Sequence, residues 1–387
     1  MRSAGNSSWT FLCAAPQAGG IRSPAAWRPH FNRPNAEYRL RCSSALILGG
    51  KTMKNGMFVF DCVVHTQDFT DRQVRPGGDG RQVRAHRSNQ GQFNKLMATK
   101  GPADKPDFYD PVDVDWANKT LFEESDTDIA MVCTVPLFGQ WQNSLGPAEM
   151  NYQLAASNPS RFYFTGGVDP VWQGLEFALE EMERQVKEWG AVSFKFYQYH
   201  DENHHWRADD KEIAYPLWEK AIELGIKMVQ FHKGYPLGMQ PVEAFRPNDI
   251  QMAAYDFPEL NFGIHHLGDP YVDELVSIAS RFPNIYLMLP LWHNQYYLQP
   301  YPMLHRLGQT LLFVGADKLC YGSEGFLWPH MQTYIDTWAN LEMPEELQDK
   351  YGYPELTPEI KEQVFGLNFA RGLGIDLELK KKELGLL

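Results

Sequence analysis

From Met57 onward, short apolar runs alternate with stretches whose apolar positions recur every three or four residues. The runs MFVFDCVVH (57–65), DIAMVCTVP (128–136), RFYFTGGVDP (161–170) and AVSFKFYQY (191–199) read as buried strands. KMVQFH (227–232), NFGIHH (261–266), NIYLMLP (284–290) and KLCYGSE (318–324) continue the series. Between them, helical spacing is clear over 174–189, where Leu175, Leu179, Met182 and Val186 share a face. Residues 212–224 also read as a helix, with Gly225 as its stop. Further helices are predicted near 147–157, 249–255, 272–282, 303–315 and 357–373. Eight strands alternating with helices predict an α/β protein, a single (β/α)8 TIM barrel rather than an open doubly wound sheet. Residues 66–112, polar and rich in Gly, Pro and Arg, predict a long excursion after strand 1. No GxGxxG or GxxxxGK[ST] follows any strand, so there is no dinucleotide or P-loop signal.

In such a barrel, active groups sit where strands end and βα loops begin. His65, His232, the pair His265–His266 and Glu324 all fall at predicted strand ends, and Lys195 lies within a strand. One strand-end histidine is more often a hydrogen-bonded core residue than a ligand. Three such ends plus a late carboxylate suit a divalent transition metal, which polarises a carbonyl or acidifies a water. The bland alternative is a hydrogen-bonded polar cluster without metal. Because neighbouring strand residues point to opposite faces, only one of His265 and His266 is expected to face the barrel interior.

Several passages, in order, resemble the amidohydrolase-related family, in the branch of the aminocarboxymuconate-semialdehyde decarboxylase-like enzymes. They are FDCVVH, NYQLAASNPSRFYFTGGVDP, YPLWEKAIELGIKMVQFHKG, FGIHHLGDP, FVGADKLCYGSEGFLWP and FGLNFARGLG, spanning 57 to about 375. The resemblance implies a metal-dependent barrel. The family opens with Asp-x-His-x-His, whereas this chain has Asp61, Cys62, Val63, Val64 and His65, so Val63 replaces the first metal histidine. His65 matches the second, His232 the middle-strand ligand, and His266 the catalytic or second-sphere histidine. Glu324 stands where the family has a late-strand aspartate. The implied ligands are therefore His65, His232 and Glu324 around one divalent ion, zinc first, with manganese or iron as alternatives. The same match favours His266 over His265 as the inward histidine.

Weaker features surround these. Lys195 is a catalytic or substrate-orienting cation, or a lysine whose head snorkels to the rim. Trp292, His293 and Tyr296 follow a strand end and would line an aromatic substrate pocket, serve as oligomer contacts, or simply pack; Trp328 belongs with them. The histidine-bearing loop 199–210 reads as solvated. The basic stretch 72–87 reads as a solvated loop, or as a lid attracting an anionic substrate. No GxSxG occurs, and no cysteine has an evident histidine partner.

Charge sharpens the domain organisation. The net charge is -12, but residues 1–57 hold eight Lys/Arg against one acid, a net +7, and the remainder 28 against 47, a net -19. Residues 1–56 are read as a basic extension, disordered or preceding a natural start at Met53 or Met57, with an organelle-targeting peptide as the alternative. Residues 57–387 form the barrel domain. The acidic body disfavours nucleic acid, and no apolar run approaches a membrane span. Five scattered cysteines without CxxC spacing fit free thiols and a cytoplasmic location. The resemblance leaves a homodimer open. The leading expectation is a metal-dependent hydrolase of a small carbonyl-bearing, aromatic or similar molecule, acting through metal-activated water with His266, Glu324 and Lys195 as catalytic groups. The rivals are a non-oxidative decarboxylase and a non-catalytic binding barrel with a degenerate metal site.

Overall fold

The computed structural model describes residues 53–98, 109–327 and 331–387. They fall within one compact unit, Gly49–Leu387. The expected extension up to residue 52, Cys13, Cys42 and Trp328 lie outside the described residues.

Eight strands form one sheet in chain order: β1 (Phe60–Val64), β2 (Ile129–Cys133), β3 (Phe162–Gly167), β4 (Ala191–Phe196), β5 (Met228–Phe231), β6 (Asn261–Ile264), β7 (Ile285–Met288) and β8 (Leu319–Cys320). All seven neighbouring pairs are parallel. The sheet closes on itself through less regular contacts. Cys62 N donates to Tyr321 O (3.1 Å), His65 N donates to Gly325 O (2.6 Å), and Val64 bridges Gly325.

Helices α1 (Gly80–Ala98) and α2 (Val114–Phe122) lie between β1 and β2. Then α3 (Ala148–Ser157), α4 (Leu175–Trp189), α5 (Tyr215–Glu223), α6 (Ile250–Asp256) and α7 (Val272–Ala279) each separate successive strands. Two helices, α8 (Trp292–Leu298) and α9 (Pro300–Phe313), fill the interval before β8, and α10 (Met331–Asn340) follows it. The excursion after β1 is thus largely helical, not simply loop. The barrel with its excursion is as the strand alternation predicts.

Strand alternation sorts side chains into two cores. Phe231 and Phe262 point outward, where both pack against Trp218 of α5. Inward, Phe60, Met131, Met228 and Met288 fill the barrel floor, and Phe369 closes it from below. Above that floor lies a polar layer: Gln230 donates to Thr165 Oγ1 (3.2 Å) and Ser193 Oγ (2.9 Å). This layer ends the apolar filling and supports the polar strand ends above it.

Lys54 pairs with Asp336 and lies 3.6 Å from Asp126. No helix among the described residues is long and apolar enough to cross a membrane. The described cysteines, Cys62, Cys133 and Cys320, are free and buried.

One buried ion pair ties the loops behind the barrel mouth together. Lys233, next after His232, meets Asp249 at 2.7 Å, both nearly fully buried. The second Asp249 oxygen accepts from Gln198 and from Ala208 N, each at 3.0 Å. Leaving one buried charge alone costs about 3–5 kcal/mol. Asp249→Ala should lose stability on that scale in urea denaturation. The double variant K233M/D249N removes both charges, keeps an oxygen for Gln198 and Ala208, and should lose distinctly less.

Candidate active site

The closing seam brings the first and last strand ends together. Asp61 Oδ1 accepts from Val63 N (3.1 Å) and from Ser323 N (3.0 Å), stapling β1 to the segment after β8. Glu324 follows with φ 59°, a left-handed conformation that costs a non-glycine residue about 1–3 kcal/mol. Its carboxylate is turned to His65, with Nε2 and Oε1 3.3 Å apart. His65 Nε2 also meets Gln67 Nε2 at 3.3 Å. Burial alone would raise the Glu324 pKa, but His65, His266 and Lys195 together bring it down to about 2. Its other oxygen, Oε2, is buried without a hydrogen-bond partner.

On the opposite strands, β6 stops at Ile264, before either histidine. His265 keeps the inward alternation, and its Nε2 donates to Gln230 Oε1 (2.8 Å) in the polar layer. His266 then adopts φ 63°, which swings its ring inward as well. The expectation that only one of the two faces the interior is therefore overturned. It assumed a strand through residue 266, whereas a backbone reversal breaks the alternation there. His266 Nε2 lies 3.2 Å from His232 Nδ1. The remaining nitrogens face carbonyl oxygens, His266 Nδ1 to Pro290 O (3.1 Å) and His232 Nε2 to Tyr235 O (3.0 Å). Tyr197 stacks on His232, ring centroids 4.4 Å apart.

Several of these groups open onto a cavity of about 90 Å³. His232, His266 and Glu324 line one end, and α1 contributes His86, Asn89, Gln90 and Phe93. Seven described non-glycine residues have left-handed backbone. Four of them, Tyr235, His266, Leu291 and Glu324, line this cavity, one after each of β5 to β8. Such concentrated strain marks a functional site.

Lys195 is buried, with its ammonium 5.5 Å from the centroid of the Tyr197 ring. Burial brings its pKa down to about 7, against the pull of Cys133 and Glu324. Trp292, His293 and Tyr296 do not line the cavity. Trp292 is buried, donating to Met303 O (3.1 Å) and stacking on Tyr296. His293 packs among Tyr321, Tyr334 and Trp338. Helices α8 and α9 cover most of this segment and turn Trp292 and His293 into the core, with Tyr296 half-buried against it. The α1 residues were missed, yet their spacing, His86, Asn89, Gln90 and Phe93, is that of one helix face.

A family model described as amidohydrolase matches residues 85–375. The chain belongs to the amidohydrolase family. Among solved structures, an uncharacterized TIM-barrel protein from Bordetella bronchiseptica is 16% identical, with TM-score 0.59 over 85% of this chain and 100% of the other. A 5-carboxyvanillate decarboxylase from Novosphingobium aromaticivorans, solved with manganese and 4-hydroxy-3-methoxy-5-nitrobenzoic acid, is 12% identical, with TM-score 0.51 over 84% and 99%. At these identities the likeness is one of fold. No curated protein matches the chain.

The family's divalent metal can be tested against the residues of this family member. Carbonyl oxygens only accept, so His232 Nε2 and His266 Nδ1 must carry the ring protons. The facing nitrogens, 3.2 Å apart, are then both bare lone pairs, an arrangement that needs a cation or an extra proton between them. Burial disfavours the proton, pushing His266 down to about 4 and His232 well below its ordinary value. Two donors about 2.0–2.1 Å from a tetrahedral ion stand about 3.3 Å apart. That matches the His232–His266 spacing and the His65–Glu324 spacing. Val63 is buried and apolar, so the family's first imidazole has no substitute there. Among the described residues no three His, Cys, Asp or Glu side chains converge on one point; the donors stand in two pairs. The unpartnered Glu324 Oε2 and the facing nitrogens fit a divalent ion in chemistry, although as placed the donors do not converge on one point.

The buried lysine has a measurable consequence. Its pKa is depressed in the folded state, so its contribution to stability is present above the unfolded value of about 10.4 and is lost as pH falls through about 7. Lys195→Met should be more stable than the parent chain near neutral pH and below. The gain should be on the order of a few kcal/mol at about pH 6 and shrink by about pH 9, read by urea denaturation.

Proposed function

We propose that this amidohydrolase-family chain is a metal-dependent hydrolase of a small carbonyl-bearing molecule. The observation that carries this reading is the buried Glu324 carboxylate, turned to His65 and keeping Oε2 without a partner. His65, His232 and Glu324 would hold the ion, leaving His266 Nε2, which faces His232, to accept a proton. Zinc suits this imidazole–carboxylate set, and manganese or iron are the alternatives. A divalent ion held there would polarise a substrate carbonyl and make water a better nucleophile at neutral pH.

The chain's own groups then have separable tasks. The Tyr235 and Pro290 carbonyls fix the tautomers of His232 and His266. Tyr197 fixes the plane of the His232 ring by stacking. A neutral His266 imidazole, beside the carboxylate, can accept a proton from an attacking water. Glu324 stabilises the imidazolium that results, since it raises the His266 pKa against burial.

A second reading, non-oxidative decarboxylation, is favoured by Lys195. An ammonium with its pKa at about 7 can deliver a proton to a carbanion near neutral pH. Carbon dioxide release from aromatic acids without consumption of water would separate this from hydrolysis.

Elemental analysis of the protein as purified, and after incubation with zinc or manganese, should find a divalent ion. His232→Ala should lower metal retention by at least about tenfold. Absence of metal under both conditions would overturn the metal reading, and unchanged retention in His232→Ala would overturn the ligand assignment.

A further inference from the structure

Helix α1 presents two different faces. Two of its arginines form local pairs, Arg81 with Asp79 (2.9 Å) and Arg87 with Asp71 (2.8 Å), and neither these nor Arg84 line the cavity. The face toward the cavity carries His86, Asn89, Gln90 and Phe93, without a charged group. The helix is held against the barrel mouth by Gln82, which donates to Leu237 O (2.7 Å) and accepts from Met239 N (2.6 Å). Gly238 between them has φ +65°, and a Cβ there would meet Gln82 at 3.0 Å, so only glycine allows this close approach.

His86 is 2% exposed, and its Nε2 has no hydrogen-bond partner. Its ring is wedged edge-on against Phe69 (5.3 Å) and Trp141 (5.8 Å), which fixes its direction. A buried nitrogen left unpaired forgoes a hydrogen bond, which a ligand group can supply. Burial keeps this imidazole neutral, so it offers a hydrogen bond rather than a charge. Among the described residues lining the cavity there is no Lys or Arg, and Glu324 is the one acid. Phe93, Val135, Leu145 and Leu291 supply apolar walls. A carboxylate set against α1 would lose its hydration and find no Lys or Arg in the cavity lining to pair with.

We infer that α1 is the recognition element of the cavity, with His86 as its specificity-determining residue, and that His86 binds an uncharged hydrogen-bonding group on a small, largely apolar substrate. A carboxamide, a phenol or a ketone has the required chemistry. This rests on the reading of the cavity as the active site, and it concerns the end lined by α1.

Isothermal titration of the full-length protein with benzamide and with benzoate tests it. Benzamide should bind at least about tenfold more tightly than benzoate, a difference of about 1.4 kcal/mol. His86→Phe keeps the ring and removes both nitrogens; it should weaken benzamide by about tenfold. His86→Gln should recover part of that loss, which mere damage to packing would not. Gln90→Leu, at a half-buried position, gives a second test should His86→Phe unfold, and it should also weaken benzamide. Tighter binding of benzoate, no measurable binding of benzamide, or an unchanged benzamide affinity in both His86→Phe and Gln90→Leu would each overturn the inference. These readouts are independent of turnover. A chain without metal that still responds to His86→Phe removes only the metal reading, and a metal-binding chain that does not respond removes only this one.

Discussion

The site depends on how the barrel closes. The last strand has only two residues, Leu319 and Cys320, and the chain beyond it meets β1 through irregular contacts rather than a regular ladder. Asp61 secures that seam by accepting from backbone amides on both sides of it. The cost is borne by the groups concerned. Asp61 is buried with one oxygen unpartnered, and burial pushes its pKa up to about 6. Glu324 adopts a left-handed backbone. The return is positional, because the seam sets a carboxylate from the end of the chain against an imidazole from its start, 259 residues apart in sequence by their numbering.

Strain recurs around the same half of the mouth. Tyr235, His266, Leu291 and Glu324 follow successive strands and share the unfavourable conformation. Each redirects the chain at the strand's C-terminal end, where an extended residue would send its side chain along the alternating pattern. At residue 266 this redirection places two consecutive histidines on the same side. It also creates the opposed His232 and His266 nitrogens, which two backbone carbonyls leave bare. Below them, the Thr165–Ser193–Gln230 layer separates this polar group from the methionine-rich floor. The site is thus supported by satisfied hydrogen bonds beneath and left with unsatisfied ones above, facing the cavity.

Electrostatics follow from burial. Imidazoles here are driven neutral, a lysine is brought toward neutrality, and Glu324 alone is held firmly ionised. A low-polarity pocket with one strong anion and several neutral imidazoles is the setting for the proposed cation and the proposed uncharged ligand group. Helix α1 completes the wall of that pocket with amides and an imidazole, while Arg81 and Arg87 are held in local pairs outside the lining.

Much of this was legible in the chain alone. The alternation of apolar runs and helical stripes determined the barrel, because burial of both sheet faces forces that pattern. Strand-end position singled out His65, His232, His266 and Glu324, since βα loops surround the mouth of any such barrel. The aromatic segment at 291–303 and the excursion after β1 were not legible in the same way. Whether Trp292 and His293 face a pocket or a core depends on a helix that only long-range packing orients. The His86 face was present as a spacing, but a polar helical stripe says nothing about what it covers until the helix is docked. Left-handed residues such as His266 and Glu324 carry no local signal, because nothing about a histidine or a glutamate asks for that conformation. The sequence by itself determined which groups reach the barrel mouth; only the tertiary structure decided which way they turn, because backbone reversals and the closing seam override strand alternation there.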